Sequence, residues 1–78
     1  MTKVKNCWKI ECHHTPETID RIIMPIRKRG LCVIGFQYKQ IDAKTATCTI
    51  EFEVDSADVE RVYKNMLRNY DIVSITKL

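Results

Sequence analysis

Residues 14–31, HTPETIDRIIMPIRKRGL, have the pattern of one helix with a marked start and a marked end. Thr15 is a suitable N-cap, and Pro16 suits the first turn because the backbone N–H that proline lacks has no partner there. Four isoleucines recur at the spacing of a single helix face: Ile19, Ile22, Ile23 and Ile26. Gly30 follows three basic residues and can take the left-handed conformation that ends a helix. Pro25 lies inside this pattern, where we expect it to kink the helix rather than divide it.

Four strands and a second helix surround this segment. Alternation of apolar and polar residues predicts strands over 4–13 and 45–54. We also expect a strand over 31–40, apolar on both faces at its start, and a last short strand over 71–78. The second helix follows a cap at Asp55 or Ser56, and Asn69 is a plausible C-cap. Its apolar stripe consists of Val59, Val62, Tyr63, Met66 and Leu67. The order βαββαβ predicts an α+β ferredoxin-like sandwich, with two helices on one face of a four-stranded antiparallel sheet. We expect residues 1–78 to form one domain.

Composition excludes several classes of function. The chain of 78 residues is 45% hydrophobic and has a net charge of +3, which is too small to argue for nucleic acid. Strand 45–54 carries Glu51 and Glu53 where an RNA-recognition domain needs basic and aromatic residues. The first residues have no apolar core of a signal peptide, so we expect a cytoplasmic protein with reduced cysteines.

The Cys12-His13-His14 run is the clearest candidate for metal or thiol chemistry. Cysteine and histidine are the usual zinc ligands, and Cys7 lies five residues upstream. Successive strand residues point to opposite faces, however, and a second Cys/His pair at suitable spacing is missing from the sequence. Catalysis would need a thiolate paired with histidine, but Cys32 and Cys48 lie in apolar strands where burial favours the protonated thiol. We therefore expect no metal site and no enzyme activity.

Strand 31–40 is the segment best suited to binding another chain. It is one edge of the predicted sheet, with Leu31 and Val33 on one face and three apolar residues on the other, and an exposed apolar edge favours pairing with a second chain. Closed two-fold dimers are the commonest oligomers. We expect a homodimer through an edge that includes Cys32, Ile34, Gly35, Phe36 and Tyr38. The alternative is that a loop or helix of the same chain covers this edge.

The run Thr15 to Ile22, together with Arg29-Gly30, resembles the first helix of ACT regulatory domains. Within that family the chain is most similar to the small subunits of acetohydroxyacid (acetolactate) synthase, of the short, valine-insensitive type. The resemblance implies an effector site at the helix start and at the start of the second strand. The equivalent positions are His14, Thr15, Pro16, Glu17, Thr18, Ile19, Cys32 and Val33.

Three of these positions depart from the valine-sensitive pattern. Asparagine is usual where this chain has His14 and Cys32, and glycine is usual where it has Glu17. A carboxylate at position 17 would repel the carboxylate of an amino acid by about 1 to 4 kcal/mol. We therefore expect weak or absent valine binding.

The resemblance also implies a partner. A large catalytic subunit would carry thiamine diphosphate, FAD and magnesium, and would condense pyruvate with a second 2-oxo acid in branched-chain amino-acid biosynthesis. This chain would be its non-catalytic, activating small subunit and would bind none of those cofactors. The alternative is a stand-alone ACT sensor that binds an amino acid or another small metabolite at a dimer interface.

Overall fold

The computed structural model describes residues 3–78 and confirms the predicted order of elements across that range. The elements are β1 (Lys3–His13), α1 (Thr18–Lys28), β2 (Cys32–Gln40), β3 (Thr45–Asp55), a 3₁₀ turn (Ser56–Asp58), α2 (Val59–Leu67) and β4 (Ile72–Lys77). The strands of this range pair antiparallel in the order β2-β3-β1-β4. The predicted ferredoxin-like sandwich is therefore correct. No helix within residues 3–78 is long and apolar enough to cross a bilayer.

The core lies between one face of the sheet and the two helices. Trp8 is fully buried near its centre, and its ring makes edge-on contacts with Phe52 at 4.9 Å and Tyr63 at 5.7 Å between centroids. The alternation predicted for β1 and β3 is confirmed, because every second residue is buried from Trp8 to Cys12 and from Ala46 to Val54. The buried core residues are Trp8, Ile10, Cys12, Ala46, Cys48, Ile50, Phe52, Val54, Ile22, Ile26, Val62 and Met66.

The start of α1 differs from the prediction. The helix begins at Thr18 rather than immediately after Thr15, and no side chain caps it. Thr18 is fully buried, and its Oγ1 accepts a hydrogen bond from the Thr15 backbone N–H at 2.8 Å while donating to the His13 carbonyl at 2.7 Å. The buried face of α1 consists of Thr18, Ile22 and Ile26, so Ile19 lies off that face and is 40% exposed instead of buried. The sequence pattern missed this because threonine scores as polar.

The end of α1 is as predicted. Gly30 has φ of +69°, in the left-handed region. Its N–H donates to the Arg27 carbonyl at 2.9 Å, and the Leu31 N–H donates to the Ile26 carbonyl at 3.2 Å. These two bonds form a Schellman motif, which satisfies carbonyls that the helix itself leaves free.

Pro25 is accommodated by a side chain from outside the helix. A residue with an N–H at position 25 would donate to the Arg21 carbonyl, and proline removes that bond. Asn69 supplies the replacement, because its Nδ2 donates to the Arg21 carbonyl at 3.1 Å. α1 continues through Pro25 as one helix. Asn69 is thus not the C-cap of α2, which is Arg68.

The apolar stripe of α2 is shorter than predicted. Val62 and Met66 are buried, and Val59 and Tyr63 pack against the core, but Leu67 is 44% exposed. The predicted cap at Asp55 serves the 3₁₀ turn that precedes α2, where Asp55 Oδ1 accepts from the Ala57 N–H at 3.1 Å. This extra turn moves the helix start and leaves Leu67 at its exposed end.

β2 contains a bulge that the sequence did not indicate. Val33 lies opposite Phe52 and Gly35 lies opposite Glu51, so Ile34 is an extra residue without a partner on β3. The extra residue places both Val33 and Phe36 against the core, although simple alternation assigned them to opposite faces. That assignment of faces was wrong.

Candidate functional site

The loop between β1 and α1 is tied to the far end of β2 by hydrogen bonds of His14. The His14 backbone N–H donates to the Lys44 carbonyl at 2.8 Å, and its Nδ1 lies 2.8 Å from the Tyr38 hydroxyl. Tyr38 belongs to β2, whose position as an edge strand is confirmed. Burial raises the pKa of Tyr38, so its hydroxyl stays protonated at neutral pH. The loop and the edge strand therefore form one continuous surface.

Charges at the start of α1 centre on Arg21. Its guanidinium contacts Asp71 at 2.7 Å and Glu17 at 3.6 Å, and it lies over the Tyr70 ring at 4.9 Å. The hydrogen bond to Asp71 raises the pKa of Arg21. Asp71 is only 2% exposed. Two carboxylates share one guanidinium here, which leaves one excess negative charge beside the helix start and disfavours an anionic ligand.

The structure brings together only part of the predicted effector site. Thr15 and Thr18 bond to each other through their hydroxyls at 2.9 Å, whereas Pro16, Glu17 and Ile19 are exposed. Cys32 and Val33 lie at the other end of the sheet, because Cys32 pairs with the residue opposite Lys5. Lys5 and His13 are eight positions apart on β1, or roughly 26 Å at about 3.3 Å per residue. Within one chain these two groups cannot contact the same small ligand.

The five predicted edge residues differ in their surroundings. Ile34 is 48% exposed and Cys32 is also exposed, while Phe36 and Tyr38 pack partly against the core. A Cβ at Gly35 would lie 3.6 Å from Glu51 Oε1, which is an ordinary contact. Packing within the chain therefore does not require glycine at this position.

The cysteines and histidines point into different surroundings. Cys12 is buried and donates to the Ala46 carbonyl at 3.5 Å, His13 is exposed, and His14 bonds Tyr38. Burial raises the pKa of Cys12 and raises that of Cys48 to about 12. Thiols that stay protonated are poor nucleophiles and poor metal ligands. Among residues 3–78, no three His, Cys, Asp or Glu side chains are grouped to hold a metal ion.

One prediction about an individual residue was wrong, and two charged residues of the site were not identified. Cys32 was expected to be buried in its strand, but it lies opposite the exposed Glu53 on the outer face of the sheet, which leaves its thiol exposed. Arg21 and Asp71 were not identified from the sequence, because nothing along the chain pairs residues 50 positions apart. The position of Arg21 one turn after Glu17 was the available signal for a charge centre at the helix start.

The sheet order, the loop over an edge strand and the helix layer together define an ACT-type fold. No family model matches the sequence, and no curated protein matches it either. Solved structures do match. The ACT domain of GTP pyrophosphokinase from Chlorobium tepidum superposes with a TM-score of 0.83 at 14% identity, covering 99% of this chain and 100% of that one.

Two longer regulatory proteins share the fold. The small subunit of acetolactate synthase from Thermotoga maritima gives a TM-score of 0.80 at 13% identity, covering 95% of this chain and 47% of that one. The regulatory subunit of aspartate kinase from Thermus thermophilus gives 0.65 at 7% identity, covering 99% and 55%. These superpositions establish the fold. At identities this low they establish nothing beyond it.

Proposed function

We propose that this chain is a non-catalytic regulatory subunit that activates the large catalytic subunit of an acetolactate synthase in the cytoplasm. The thiamine diphosphate, FAD and magnesium of that reaction would all reside in the partner. One observation carries the proposal. The residues that resemble acetolactate synthase small subunits, Thr15 to Ile22 and Arg29-Gly30, form the start of the first helix and its end in an ACT-type fold, and a small subunit of that enzyme shares the fold. Activation then follows if this chain binds the active arrangement of its partner more tightly.

The polar groups at the helix start favour a role in activating a protein partner rather than a role in sensing an amino acid. Thr15 and Thr18 satisfy each other and the end of β1, and Glu17 adds a negative charge. An effector carboxylate would have to break these bonds and approach an excess negative charge. A protein partner faces no such cost.

The proposal includes a homodimer through β2. Antiparallel pairing about the middle of the strand would place Cys32 of one copy beside Gln40 of the other, near the Tyr38 that bonds His14. The two separated parts of the predicted effector site would meet only across such an interface. The predicted effector site therefore requires the homodimer.

Titration of the chain into its cognate large subunit, with acetolactate measured, tests the main proposal. We expect no activity from the chain alone and a saturable rise in activity of the mixture. A flat titration without co-purification of the two subunits would contradict the proposal.

The alternative function is a stand-alone ACT sensor, which the exposed loop and edge strand would also suit. Calorimetry with valine, leucine and isoleucine separates the two, and we expect affinity no better than millimolar, or about 4 kcal/mol. Glu17→Gly removes one charge and should improve binding modestly. Low-micromolar binding of valine by the wild type would establish the sensor instead.

A further inference from the structure

An open groove of about 680 Å³ runs between α1 and α2 on the outside of the helix layer. Met24 and Pro25 form its apolar part, and Met24 is 46% exposed although it is a large apolar residue. Asn65 lines the α2 side. The bond from Asn69 to the Arg21 carbonyl ties α1 to the chain after α2 at one end of the groove.

The rim of this groove is positively charged. Lys28 and Arg29 line it from α1, and Lys64 and Arg68 line an adjoining depression on α2 that shares Asn65. Within residues 3–78, none of these four cations makes an ion pair.

The nearby acids offset little of this charge. Asp20 lines the same groove, while Glu60 on α2 is held by Lys77 at 2.9 Å. Cations complement the negative ends of both helices, which accounts for their sign. The helix ends do not explain why Met24, a large apolar residue, is exposed in the same groove.

We propose that this groove is the surface through which the chain contacts its catalytic partner, and that it receives an acidic amphipathic helix of that partner. An apolar side chain of that helix would lie on Met24 and Pro25, and its Asp or Glu residues would face Lys28 and Arg29. This is the helix-in-groove mode of recognition, with charge complementarity setting orientation. The inference rests on the proposed function, because it assigns the contact face of the same complex.

Two other occupants fit the groove less well. A second copy of this chain would bring one cationic rim against another, since the same residues meet in a two-fold contact of this face. Nucleic acid fits less well because the groove lining within residues 3–78 contains no aromatic side chain for bases to stack on.

Affinity of the full chain for its cognate large subunit, measured by calorimetry at low and high salt, tests the inference. The double variant Lys28→Glu/Arg29→Glu reverses the charge of the groove rim. Met24→Asp places a carboxylate in the apolar part of the groove, away from the end of α1. Lys3→Glu/Lys9→Glu is the matched control, because both lysines are exposed on the opposite side of the sheet. Circular dichroism establishes that each variant is folded.

We expect both groove variants to bind about tenfold more weakly or worse, and the control to stay within about twofold. The wild-type affinity should also fall more steeply with salt than that of the rim variant. Wild-type binding with unchanged groove variants would overturn the inference and leave the proposed function standing. A wild type that does not bind the large subunit overturns both. Tight binding of a DNA duplex that the rim variant loses would identify a nucleic-acid surface and overturn the inference.

Discussion

The two edges of the sheet are alike in one respect and different in another. Each edge strand carries a bulge with an exposed β-branched residue, Ile34 on β2 and Val73 on β4. β4 spans only six residues, and its Lys77 is held by Glu60 at 2.9 Å and lies over the Tyr63 ring at 4.4 Å. β2 spans nine residues.

The difference between the edges indicates where pairing can occur. A short strand with a lysine fixed to the neighbouring helix offers little to a second chain, as natural edge strands often do. β2 has more backbone to offer, and its exposed side chains near the start are apolar or thiol. The bulge at Ile34 lies within the length of β2 that would pair, so we expect Ile34 to border the interface.

The largest expected effect separates the two edges directly. Ile34→Asp should weaken dimerisation about a hundredfold, or about 2.8 kcal/mol, because it places two carboxylates near one interface. Val73→Asp makes a matched change at the β4 bulge and should leave the dimer intact. Sedimentation velocity over a range of concentrations measures both. A wild type that sediments as a monomer at micromolar concentration would rule out the β2 dimer.

The second effect concerns how β4 is anchored. Asp71 precedes β4 and holds Arg21 across the helix start. Asp71→Ala should lower the free energy of unfolding by about 2 kcal/mol, because a buried charge-assisted bond is lost. Glu17→Ala removes the exposed partner of the same arginine and should change stability by less than about 0.5 kcal/mol. Urea denaturation of the two variants would show equal losses if burial of Asp71 were unimportant.

The third effect tests the turn before β4. Asn69→Ala leaves the Arg21 carbonyl without its donor and should cost about 1 kcal/mol. In a Pro25→Ala background, the restored helix N–H supplies that donor, so the same substitution should cost less. Thermal unfolding of the wild type, the two single variants and the double variant gives the coupling free energy between Pro25 and Asn69. Equal costs in both backgrounds would mean that the two residues act independently.

The fourth effect concerns Cys48 in β3 and depends on pH. The pKa of Cys48 is raised by burial to about 12, from an ordinary value of 9.0 in the unfolded chain. The folded state therefore binds the proton more tightly, and its contribution to stability is complete below pH 9 and is lost as the pH rises towards 12. We expect urea denaturation to show a fall of about 1 kcal/mol from neutral pH to pH 10 that Cys48→Ala reduces. An unchanged pH dependence in that variant would contradict burial of the thiol.

Sequence patterns predicted the regular parts of the molecule and missed the interactions between distant residues. Strands β1 and β3 alternate cleanly because one face is buried, and Gly30 marks the helix end by its backbone conformation alone. The helix start was misplaced because Thr18 is buried through bonds to His13 and Thr15. A bulge has no strong residue signature, so the packing of both Val33 and Phe36 against the core was missed as well.

The candidate site was predicted less completely than the fold. Its loop residues were identified by resemblance, and the position of Cys32 at the far end of the sheet follows only from strand register. The charge centre of Arg21 and Asp71 depends on the path of the chain after α2. Such pairings are set by tertiary structure, which local periodicity does not report.

The bond between Asn69 and the Arg21 carbonyl has a mechanical consequence. A helix packed only by apolar side chains can slide along its axis, but α1 is held in register with the chain after α2 by the bond to the Arg21 carbonyl and by the Arg21–Asp71 ion pair. The next residues of that turn lead to Asp71, whose carbonyl accepts the His13 N–H at 2.7 Å. A displacement of α1 by a protein seated in the groove would therefore act on the bonds that hold the end of β1.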